Sequence, residues 1–127
     1  MPEFYAFLEN CINAGITDFE LCIGTNGMKV SDKLLNLLSY FSDVLLSFSF
    51  DGYGKVNDYI RWGSEFDTIR RNCFRILEKN HVLAFQTVPS MYNATRLHEV
   101  YEFYDRDFPG ANTLVQPASR VTGYLGP

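Results

Sequence analysis

The sequence predicts an α/β domain built on a four-stranded parallel sheet, and three features predict it. Segments with apolar residues every three or four positions alternate with segments in which every second residue is apolar, the periods of a helix and of a strand. The stretch 43–51, DVLLSFSFD, sets Val44, Leu46, Phe48 and Phe50 against Leu45, Ser47, Ser49 and Asp51 and is the clearest strand in the chain. Glycines and polar residues gather just after the strands, in segments 24–27, 49–54, 86–93 and 116–120. Those are the carboxyl ends, where parallel sheets hold ligands. Alternation of this kind implies right-handed crossovers between neighbouring strands.

The elements follow in order. Phe4, Phe7, Leu8, Cys11 and Ile12 mark an amphipathic helix from Pro2 to about Ala14, with Pro2 suited to a first helical turn and Gly15 to the break. A strand over 18–26 follows. Ser31 is placed to cap a helix that Leu34, Leu35, Leu37, Leu38 and Phe41 carry to about Ser42. After the strand 43–51 comes a loop with Gly52, Gly54 and Gly63; then Ser64 and Asp67 resemble a capping box opening a helix over 65–79. The third strand is 81–88, ended by Pro89. Asn93 is placed to cap a fourth helix over 94–105, and 112–116 is the last strand. All 127 residues read as a single domain, without repeats or a low-complexity linker.

Composition excludes several classes of function. With 46% hydrophobic and 20% charged residues the chain is a packed globular protein rather than a disordered one. A net charge of −4 argues against binding nucleic acid, because Lys and Arg do not cluster beyond the pair Arg70 and Arg71. No apolar run approaches the roughly 20 residues that span a bilayer, so no membrane partner is expected. The odd, scattered cysteines Cys11, Cys22 and Cys73 suit a reducing compartment and a cytoplasmic protein, each read as a small buried apolar residue. His81 and His98 lack metal-ligand spacing, and Asp58 and Glu65 sit where loop and helix-start acids are ordinary, so no metal ligand and no catalytic residue is assigned.

Two segments depart from generic α/β sequence: GTNGMKVSDKLLNLL, 24–38, and LSFSFDGYGKVNDYIRWGSEFDTIRRN, 46–72. Together they resemble the third and fourth strand regions of radical S-adenosylmethionine (radical SAM) enzymes, in particular those with a twitch-type auxiliary domain. Thr25, Asn26 and Gly27 match a Thr-Asn-Gly turn; Ser49, Asp51 and Gly52 match Ser-x-Asp-Gly; Tyr59 to Ser64 match Tyr-Ile-Arg-x-Gly-Ser; Thr87, Val88 and Asn93 approximate Thr-Val-x-x-x-Asn. The resemblance runs from about Pro2 to Gln116. It implies that the sheet is part of a (β/α)6 partial TIM barrel. It also implies a family chemistry in which a reduced 4Fe–4S cluster cleaves S-adenosylmethionine to a 5′-deoxyadenosyl radical. The Cys-x-x-x-Cys-x-x-Cys loop and the Gly-Gly-Glu turn of the family are absent from these 127 residues. The resemblance therefore implies a fragment that does not catalyse alone and carries no cofactor of its own.

The resemblance makes Asn26, Ser49, Asp51, Gln86, Thr87 and Asn93 the candidate pocket residues, with Ser49 and Asp51 on the barrel interior, toward the ribose and methionine ends of S-adenosylmethionine. Each also has a plainer reading: Asn26 and Asp51 as turn residues, Ser49 as a satisfied interior hydroxyl, Gln86 and Thr87 as strand-end polar groups, Asn93 as a helix cap. Trp62, Tyr53 and Tyr59 suit either stacking on a ligand or packing over the rim. The alternative function is a non-catalytic small-molecule binding or interaction module, a homodimer joined through open sheet edges.

Overall fold

The computed structural model describes residues 2–79 and 81–115. It contains α1 (Pro2–Asn13), β1 (Glu20–Thr25), α2 (Asp32–Leu38), β2 (Asp43–Ser49), α3 (Lys55–Ile60), α4 (Phe66–Leu77), β3 (Val82–Thr87), a 3-10 turn (Ala94–Arg96), α5 (Leu97–Asp107) and β4 (Asn112–Val115). All four expected strands are present; residue 116, expected to end the last, and segment 116–120 lie outside the described residues. The strands pair in parallel in the order β1-β2-β3-β4. Sequential order with parallel pairing is the arrangement of a barrel wall.

Alternation divides the sheet into two unlike faces. Leu21 of β1, Val44, Leu46 and Phe48 of β2, and Leu83, Phe85 and Thr87 of β3 are buried on one side. There they meet Leu8 of α1, Leu35 and Leu38 of α2, Phe66, Ile69, Cys73 and Ile76 of α4, and Val100, Phe103 and Tyr104 of α5 in a single core. Phe50, just past β2, anchors it: its ring lies 5.4 Å from Phe66, 5.7 Å from Phe85 and 5.2 Å from Phe103. Burying each such aromatic contributes about 1.5–3 kcal/mol. On the other face the cross-strand rows read Cys22, Leu45, Val82, then Gly24, Ser47, Ala84, then Ser49 and Gln86. A closed TIM barrel fills its interior with bulky branched side chains. The middle row here is glycine, serine and alanine, so this wall leaves its interior open.

Local chemistry departs from expectation in three places. The loop after β2 holds a short helix, α3, whose six residues are too few to show a helical period. Helix α4 has no Ser64 capping box: Glu65 stands at the N-cap without a side-chain cap bond to the backbone, and the Phe66 amide donates to Asp58 Oδ1 at 2.7 Å. Asp58 thus caps α4 from the preceding helix, favourable for an acid at a helix start. Asn93 precedes a 3-10 turn rather than α5 and makes no cap bond, because its side chain reaches elsewhere. Ser31 does cap α2, accepting from the Leu34 amide at 3.0 Å.

Candidate functional site

The open face and the carboxyl ends of β1–β3 form a cleft of about 500 Å³ lined by Gly24, Asn26, Ser47, Ser49, Gln86 and Arg61, with Cys22 and Leu45 below. Three of the six sequence-predicted residues, Asn26, Ser49 and Gln86, meet there. Asn26 uses its Oδ1 to accept from the Met28 amide at 3.0 Å, fixing the turn, while Gly27 accepts Asn72 Nδ2 on its carbonyl at 2.7 Å. Turn chemistry and pocket lining coexist in this one segment. Ser47, Ser49 and Gln86 spend no side-chain hydrogen bond on the described residues, although each is half-buried. Polar groups in that position are held ready for water or a ligand.

The other three are committed to structure. Thr87 faces away from the cleft: it donates to the Phe50 carbonyl at 2.7 Å and shares a 2.8 Å hydrogen bond with the Tyr104 hydroxyl. Burial raises the Tyr104 pKa above the ordinary tyrosine range, the Thr87 bond offsetting part of that, so the phenol stays neutral and available as donor. Thr87 therefore does not line this cleft, and the cause is parity. Leu83, Phe85 and Thr87 share the helix face, so Gln86 and Thr87 point to opposite sides. Asn93 likewise does not line the cleft: buried, it accepts from the Ser90 amide at 2.7 Å and donates to the carbonyls of Asp51 and Val88 at 2.8 and 3.0 Å. It braces the loop after β3 against the end of β2.

Asp51 is the centre of that brace and is 7% exposed. One carboxylate oxygen accepts the Val88 amide at 3.0 Å, and the other accepts Arg61 Nε at 2.9 Å. Its own amide donates to Asn57 Oδ1 at 2.7 Å. Asp51 stands behind the cleft wall, and the residue that enters the cleft is Arg61, whose terminal nitrogens make no hydrogen bond among the described residues. Arg61 was not singled out from the sequence, although it is the arginine of the Tyr59–Ser64 motif. Its isolation among apolar and aromatic neighbours was the available signal.

Of the aromatic candidates, Tyr53 packs at the rim, its ring 5.1 Å from Phe66 and 5.7 Å from Phe103. Trp62 and Tyr59 are exposed; among the described aromatic rings Tyr59 meets that of Tyr92, at 6.2 Å. The cysteines occupy different layers: Cys11 on α1, Cys22 on the open face, Cys73 inside the core, where burial pushes its thiol pKa above the ordinary range. Cys22 and Cys11 are not the buried residues expected; only Cys73 is. Among the described residues no three His, Cys, Asp or Glu side chains are grouped to hold a metal ion, and no helix is long and apolar enough to cross a membrane.

No protein-family model and no curated protein sequence matches the chain. Among solved structures it is similar to Streptococcus suis SuiB bound to the precursor peptide SuiA, with a TM-score of 0.70 and 18% identity, over 94% of this chain and 26% of that one. SuiB bound to S-adenosylmethionine gives a TM-score of 0.68 at 15% identity, over 91% of this chain and 26% of SuiB. This chain thus spans about a quarter of the length of the structures it matches. At these identities the likeness is one of fold: the chain has the four-stranded parallel α/β architecture of the segment of SuiB that it matches.

Proposed function

We propose that this chain is the ligand-facing wall of a radical SAM-type barrel, binding the nucleoside and amino-acid ends of S-adenosylmethionine, and that it does not catalyse by itself. One observation carries the reading: the polar residues at the strand ends divide into a fully bonded set behind the wall, Asp51, Thr87 and Asn93, and an uncommitted set facing the cleft, Ser47, Ser49, Gln86 and the Arg61 terminal nitrogens. The donors fit the ligand. The guanidinium suits a carboxylate, the hydroxyls and amide suit a ribose, and the row Gly24, Ser47, Ala84 leaves the width of a planar base. A 4Fe–4S cluster does not fit these residues, because its thiolates must converge on one site and the three cysteines lie in separate layers. The twitch-type architecture of the whole protein rests on the sequence motifs of 24–38 and 46–72 alone.

The experiment is a titration with S-adenosylmethionine followed by amide and side-chain NMR. Shifts confined to Gly24, Asn26, Ser47, Ser49, Arg61 and Gln86, with a dissociation constant of roughly millimolar, are expected. Shifts scattered over the helical face, or none at ten times that concentration, reject the reading.

Self-association is the second reading, and β1 favours it. Among the described residues β1 pairs only with β2, so its outer edge presents free backbone groups beside the exposed Cys22. A two-fold pairing through this edge would need one self-complementary surface.

A further inference from the structure

We infer that Asp51 is a positioning residue that never touches ligand and acts by holding the Arg61 guanidinium so that its Nη edge faces the cleft. The inference rests on the cleft reading above and deepens it.

The geometry divides the arginine in two. Nε is bound internally by Asp51 Oδ2 at 2.9 Å, Arg61 lines the cleft, and neither Nη atom has a hydrogen-bond partner among the described residues. A guanidinium is a planar fork, so fixing Nε fixes the direction of the remaining donors. The holder is itself immobile. Asp51 Oδ1 is tied to the Val88 amide, and its backbone is tied on one side to Asn57 and on the other to Asn93. Each carboxylate oxygen already accepts one hydrogen bond, the residue is buried, and it is not among those lining the cleft. An aspartate buried behind the cleft wall contributes aim and charge balance for Arg61 rather than a contact of its own. A lysine at position 61 would be a point charge, paired either with Asp51 or with the ligand but not holding both in a set geometry.

The test uses the whole chain with Asp51→Asn, Arg61→Ala, Arg61→Lys and the double variant Asp51→Asn/Arg61→Ala. The probes are S-adenosylmethionine and 5′-methylthioadenosine, which lacks the carboxylate. Because Asn57 and Asn93 bond the main chain of residue 51, Asp51→Asn keeps those braces. In the wild type the Arg61 Nε–H should exchange slowly with solvent, and that protection should vanish in Asp51→Asn. S-adenosylmethionine affinity should fall about tenfold in each single variant, Arg61→Lys included, and no further in the double, with 5′-methylthioadenosine unaffected throughout. Losses that multiply in the double variant, to about a hundredfold, would mean that Asp51 meets the ligand directly and would overturn the inference. Equal Nε–H exchange in wild type and Asp51→Asn, or wild-type affinity in Arg61→Lys, would overturn it as well. If neither nucleoside perturbs any resonance, the S-adenosylmethionine reading falls, and Nε–H exchange still decides whether Asp51 holds Arg61.

Discussion

Replacing Gly27 by alanine should be among the most damaging single-methyl changes in the chain. The residue sits at φ +79° in the turn after β1. A Cβ there would lie 2.6 Å from Phe48 Cδ2 and 2.7 Å from Ile69 Cγ2, both in the core. A left-handed backbone costs a non-glycine residue about 1–2 kcal/mol, and forcing a methyl into a packed core costs about 1–3 kcal/mol more. The expected loss is therefore about 2–5 kcal/mol, against a total stability of about 5–15 kcal/mol for a domain. Gly15→Ala is the internal control: φ is +74°, and nothing lies within 4 Å of the added Cβ. It shares the backbone cost and the reduced unfolded-state entropy, so the difference between the two variants isolates the clash at about 1–3 kcal/mol. Urea unfolding followed by circular dichroism, with midpoints compared at unchanged slope, measures it. Two variants agreeing within about 0.5 kcal/mol would refute the close seating of Phe48 and Ile69 under this turn.

Three further outcomes are expected. Thr87→Val, which keeps the shape but leaves the Phe50 carbonyl and the Tyr104 hydroxyl only their long 3.5 Å contact with each other, should cost about 1–3 kcal/mol in the same unfolding assay while leaving the cleft resonances unmoved. His81 has a buried Nε2 without a partner among the described residues, and burial lowers its pKa below the ordinary 6.5. Since the unfolded chain then binds the proton more readily, stability should decline as pH falls from 6.5 toward the lower folded value, and His81→Leu should flatten that decline in melting curves taken across the window. Light scattering at tens of micromolar should give a mass about twice 14.6 kDa, and a monomer would remove the edge-pairing proposal.

How much of this was legible in the sequence depended on how far each interaction reaches along the chain. The strands were readable because alternation is a local property: within β2 every second residue from Val44 to Phe48 faces the core, as their spacing implied. Parity would also have separated Gln86 from Thr87, since Phe85 fixes which face is buried and adjacent strand residues cannot share it. Asp51 shows where that logic stops. Parity grouped it with Ser47 and Ser49, but β2 ends at Ser49, and two residues beyond the ladder the side chain is placed by its partners instead. Those partners are distant: Val88 is 37 residues away, and Asn93, which binds the Asp51 carbonyl, is 42 away. The helix α3 that brings Asn57 and Arg61 to Asp51 spans only Lys55–Ile60, less than two turns, too short for a periodic signal. The sequence therefore announced where an open cleft would lie, at the strand ends, but which residue faces it was decided by a network closing over about forty residues. A motif such as Ser-x-Asp-Gly consequently marks two different roles in adjacent positions: Ser49 offers its hydroxyl to the cleft, and Asp51 spends its carboxylate holding the arginine that does.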